Sequence, residues 1–139
     1  MIVLALRTAG ATLIALALFH AVLWRALSWG EEIRRLTPLN ARVFAVHTFF
    51  IAFVLFGLGV LSLARPDLLV TESELAKLLL VGVVIFWLAR LVLQPLVFDR
   101  AMRGGWTKHI GLRIMAHLAF LAYVAVYGAA LALQFGVGK

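Results

Sequence analysis

Four long apolar segments joined by short polar connections limit this chain to very few folds. They run over about residues 8–27, 41–63, 74–98 and 112–135. Each has roughly the ~20 residues an α-helix needs to cross a ~30 Å hydrocarbon layer at 1.5 Å per residue. None alternates apolar and polar residues like an outer-membrane strand, and all are too long for one. Of the 139 residues, 65% are hydrophobic. A water-soluble domain of this size lacks the interior to hide so much apolar surface. The expected architecture is all-α: an integral membrane four-helix up-down-up-down bundle, forming a single transmembrane domain over residues 1–139.

Local signals mark the ends of these helices. Thr71-Glu72-Ser73-Glu74 reads as a capping box, with Thr71 at the N-cap and Glu74 three residues on. Thr37-Pro38-Leu39-Asn40 breaks the chain before the second segment, with Asn40 as the expected cap. Arg65-Pro66-Asp67 separates the second and third segments, and Gly104-Gly105 marks a turn between the third and fourth. The first segment carries Arg7 and Ala15-Leu16-Ala17, a pattern shared with cleaved leaders. Its apolar run continues through Trp24 to Leu27, which predicts a retained helix. Within the second segment, Gly57-Leu58-Gly59 reads as a close-packing seam between helices.

The net charge of +7 is spread over the connections. Arg25, Arg34, Arg35 and Arg42 flank the first connection, and Arg100, Arg103, Lys108 and Arg113 flank the third. Arg7, Arg65, Lys77 and Lys139 fall on the opposite side. Since basic connections stay in the cytoplasm, residues of about 28–40 and 99–111 are expected there, with both termini outside. The expected membrane is of the bacterial inner or plasma type. Such connections attract anionic lipids. Nothing resembles the mixed Arg and aromatic surface of a nucleic-acid binder. Other membrane subunits or further copies of the chain remain as protein partners.

The composition also excludes several chemistries. Without cysteine there are no disulfides, thiolate metal sites, iron–sulfur ligands or cysteine nucleophiles. Glu31, Glu32, Asp67, Glu72, Glu74 and Asp99 are all at helix ends or in connections. No Ser-His-Asp set and no intramembrane acidic pair is present, so hydrolysis and an acid-driven proton path are not expected.

The polar residues inside the apolar segments carry the functional expectation. His20, His47, His117 and Gln94 each fall roughly 6–8 Å inside the same cytoplasmic boundary. Arg90 is one turn deeper than Gln94 and on the same face. Pro95 follows Gln94, and as it lacks an N–H it frees the Leu91 carbonyl and predicts a kink. A central arginine costs about 2.5–3.5 kcal/mol on insertion scales, so such residues face a bundle interior or water. Together they predict a His/Arg/Gln pocket open to the cytoplasm that suits a ligand in a redox role, while on enzymatic activity the balance leans to none. Three ligands suit it. Haem b would take two histidines as axial ligands, with Arg90 at a propionate and Trp24 and Trp87 walling the ring. A transition metal would take His20, His47 and His117. A quinone or anionic headgroup would take the His, Gln and Arg donors. The competing expectation is a non-catalytic accessory or assembly subunit whose polar groups only join helices, at about 0.6 kcal/mol per interaction.

Overall fold

The computed structural model of the chain describes residues 1–26, 29–98 and 110–136, without the side chains at 23–26, 29, 32, 98 and 112. The side chain of Trp24, the expected turn at Gly104-Gly105 and the basic residues Arg100, Arg103 and Lys108 thus lie outside the described residues. The elements are α1 (Ile2–Ala26), α2 (Trp29–Ile33), α3 (Pro38–Ala64), α4 (Asp67–Val70), α5 (Glu74–Leu93), a π-helical turn (Gln94–Phe98) and α6 (Ile110–Gln134). No strand occurs among the described residues. Four helices are long and apolar enough to cross a membrane: Ile2–Val22, Pro38–Ala64, Glu74–Val97 and Arg113–Gln134.

The expected segments reappear with small shifts at their ends. α1 begins at Ile2 rather than Thr8, since Arg7 is one exposed charge in an otherwise apolar, helix-forming run. The expected caps are corrected. Thr37, not Asn40, caps α3: its side chain accepts from the Asn40 N–H at 3.4 Å, and Pro38 takes the first helical position, where a missing N–H costs nothing. Ser73, not Thr71, caps α5, its Oγ accepting from the Ala76 N–H at 3.1 Å. The reason lies outside the local sequence and involves Gln134, described below. The kink expected at Pro95 takes the form of the π-helical turn Gln94–Phe98. A wider turn is a standard relief for the clash between a proline ring and the i−4 carbonyl.

The chain forms two compact units, Leu6–Pro66 and Met1–Ala5 with Asp67–Lys139. In the first, α1 and α3 approach through their backbones. A Cβ on Gly10 would lie 2.6 Å from the Leu63 nitrogen and 2.7 Å from the Gly59 oxygen. A Cβ on Gly59 would lie 2.9 Å from the Gly10 oxygen. Small residues permit such a close approach of two helix backbones. The buried positions Leu6, Gly10, Leu13 and Ala17 form one stripe on α1, and Leu55, Gly59 and Ser62 form one on α3. The expected seam is therefore made by Gly59, while Gly57 faces open space. Gly57→Ala should change stability by less than about 1 kcal/mol, in the stabilising direction set by helix propensity. Detergent-denaturant unfolding followed by circular dichroism measures it.

In the second unit α5 and α6 run antiparallel. Trp87 packs on Phe120 and Tyr123, with ring centroids 5.5 Å and 4.4 Å away. At the other end Gln134, 1% exposed, joins α6 to the α4–α5 connection. Its Nε2 donates to the Leu69 carbonyl at 2.8 Å and the Thr71 carbonyl at 3.0 Å, while its Oε1 accepts from the Ser73 N–H at 3.0 Å. Because the backbone at residues 69–73 is held this way, α5 starts after Ser73 and the Thr71 capping box does not form.

Candidate functional site

The face that α5 turns to α6 is a single stripe. Ala76, Leu80, Val83, Trp87 and Gln94 are buried on it, with Arg90 half-buried between the last two. The spacings of three and four residues are those of one helix face. Apolar residues fill most of the stripe, and its last turns are polar. The Arg90 guanidinium stands over the Phe120 ring, 5.2 Å from its centroid, a cation–π arrangement that spreads the charge over an aromatic face. Gln94 is 6% exposed and opens the π-helical turn. A π-helical turn inside a helix often coincides with a functional position.

On α6 the facing stripe is Phe120, Tyr123, Tyr127, Ala130 and Gln134, all buried. His117, half-buried, continues it by one turn. Since Trp87 sits between Phe120 and Tyr123, the antiparallel register carries His117 to about the level of Leu91. Arg90, Gln94 and His117 thus share one end of the α5–α6 pair. The His117 Nδ1 donates to the Arg113 carbonyl at 2.8 Å, which in a neutral ring leaves the lone pair on Nε2.

Trp87 is 1% exposed, and Phe86, Phe120 and Tyr123 all lie within ring-packing distance. It forms the core of the α5–α6 pair. Its Nε1 is buried with no hydrogen-bond acceptor. Over nine-tenths of buried polar groups are satisfied, and an unsatisfied one costs about 1–3 kcal/mol.

His20 and His47 belong to the Leu6–Pro66 unit. His20 extends the buried α1 stripe beyond Ala17 and is half-buried, its Nδ1 donating to the Leu16 carbonyl at 2.8 Å. His47 is exposed on α3. The α3 stripe continues through Ala52 and Thr48, both half-buried, and passes His47 by. Among the described residues no group of three His, Cys, Asp or Glu side chains comes together to hold a metal ion.

Gln134 and Gly10 were not marked by the sequence reading. A buried glutamine at the end of an apolar run is the available signal for the first. For the second, the signal is a glycine inside α1, where helix propensity disfavours it. No known protein family, no curated protein and no solved structure matches the chain.

Proposed function

We propose that this is a small integral membrane protein that binds a lipid-soluble ligand of the quinone class, in a redox role, at the Arg90, Gln94 and His117 end of the α5–α6 pair. The observation that carries the reading is the position of Arg90 and Gln94. Both lie on the α6-facing stripe of a helix apolar enough to cross a membrane. An ionisable group inside a membrane span, with a polar neighbour one turn on, marks a functional site by default. The ligand has an apolar body that suits the aromatic surroundings and carbonyl oxygens that accept from Arg90 and Gln94. With basic connections in the cytoplasm and both termini outside, the site opens to the cytoplasmic half of a bacterial-type membrane, and the basic connections attract anionic lipids.

Binding of a short-chain quinone to the purified protein in lipid nanodiscs tests this. Saturable binding at one per chain is expected, weakened about tenfold by Arg90→Gln or Gln94→Leu, the effect of losing one hydrogen bond of about 1.4 kcal/mol. Equal affinity in all three proteins contradicts it. Haem b and a transition metal gain less support. His47 is exposed and off the buried α3 stripe.

One observation favours the second reading, a non-catalytic accessory subunit that associates with other membrane subunits or copies of itself. The His20 and His117 rings are each bonded to a carbonyl of their own helix, and Gln134 serves the fold alone. Under that reading the same variants lose stability or partner recovery, and no quinone binds.

A further inference from the structure

We infer, resting on the quinone-class reading above, that the Trp87 indole N–H is a further donor of the site and that it selects a ligand whose head presents an acceptor oxygen. Indole Nε1–H is a donor only, and a guanidinium is likewise a donor only. Trp87 and Arg90 are three residues apart on one α5 face, roughly 4.5 Å along the helix axis, so two oxygens of one small head reach both. The Nε1 of Trp87 is buried without an acceptor, while the ring itself is held by Phe86, Phe120 and Tyr123. The donor is thus preoriented and unmatched. The oxygen of a carbonyl or a phosphate completes it. An ammonium head, which has no acceptor, does not satisfy it. Trp87 is 1% exposed, so a neighbouring ring yields as the ligand enters. Phe120 packs on both Trp87 and Arg90, and its displacement exchanges the Arg90–Phe120 stack for contacts to the head.

The test uses the full chain in nanodiscs, with a short-chain quinone and a short-chain anionic phospholipid as separate probes. Trp87→Phe keeps an aromatic ring and removes the donor. Affinity for the probe that binds should fall about tenfold, and which probe binds identifies the source of the oxygen. A second measurement keeps Trp87 in place and so does not depend on how Trp87→Phe folds. With Trp24, Trp29 and Trp106 replaced by phenylalanine, the Trp87 indole 1H–15N resonance stands alone. It should move downfield on saturation, as a newly hydrogen-bonded N–H does. A probe that binds while Trp87→Phe keeps full affinity and the indole resonance stays in place overturns the role of Trp87 and leaves the site reading intact. Binding of the phospholipid alone overturns the quinone-class reading and leaves Trp87 as a donor to the headgroup, and if neither probe binds the wild-type chain both are overturned.

Discussion

Gly10→Leu is expected to disrupt the Leu6–Pro66 unit, with a loss of about 3 kcal/mol or more. The cause is steric. Even a methyl at this position would stand 2.6 Å from the backbone nitrogen of Leu63 and 2.7 Å from the oxygen of Gly59. Both are backbone atoms, so no side chain can rotate away, and α1 and α3 must separate along the contact. A leucine adds further atoms to the same place. Unfolding in mixed detergent and dodecyl sulfate, followed by circular dichroism, should show the transition at a much lower dodecyl sulfate fraction than in wild type. Gly57→Leu, on an open face of the same element, is the control and should unfold near the wild-type point. An unchanged transition for Gly10→Leu would mean that the two backbones are not in contact.

Gln134→Leu should have the second large effect. The two side chains are close in size, so the change tests hydrogen bonding more than packing. It strips partners from the carbonyls of Leu69 and Thr71 and from the N–H of Ser73. The Leu69 carbonyl belongs to a residue only 1% exposed, where water does not replace the lost donor. Thr71 and Ser73 are exposed residues and recover part of the loss from solvent. The net cost is about 3 kcal/mol, toward the upper end of that for an orphaned buried group. Gln134→Glu keeps the acceptor for Ser73 but turns a carboxylate oxygen toward the Leu69 and Thr71 carbonyls, so at neutral pH it should cost at least as much as Gln134→Leu. The start of α5 should also loosen. Amide hydrogen exchange at residues 73–77 rises in Gln134→Leu if the Gln134 bonds hold the Ser73 cap in place, and stays at wild-type rates if they do not.

The helical content and the four apolar spans were legible in the sequence because length and apolar runs are local properties. Pro95 also announced a disturbance one residue after Gln94, and the π-helical turn appears there. The caps were missed by a few residues. Thr71 satisfies the local capping pattern as well as Ser73 does, and Gln134, more than sixty residues away in sequence, decides between them. Gly57 and Gly59 are indistinguishable to a reading by composition. Only helical phase separates them, and Gly59 falls on the stripe of Leu55 and Ser62 while Gly57 does not. The same limit applies to the histidines. Equal depth was an expectation from the distance to flanking arginines, whereas whether a ring lies on a buried stripe is a question of phase. His20 and His117 extend such stripes, and His47 is exposed. Arg90 and Gln94, four residues apart, were bound to share a face, and they do.

The proposal that α5 and α6 hold a lipid-soluble acceptor is tested most directly by photolabelling. A short-chain azidoquinone, irradiated with the wild-type protein in nanodiscs, should form adducts on the peptides spanning residues 83–98 and 113–124. Excess unlabelled quinone should suppress them, and Arg90→Gln should reduce them. Adducts confined to α1 and α3, or labelling that rises in proportion to probe without saturation, would contradict a binding site at Arg90, Gln94 and His117.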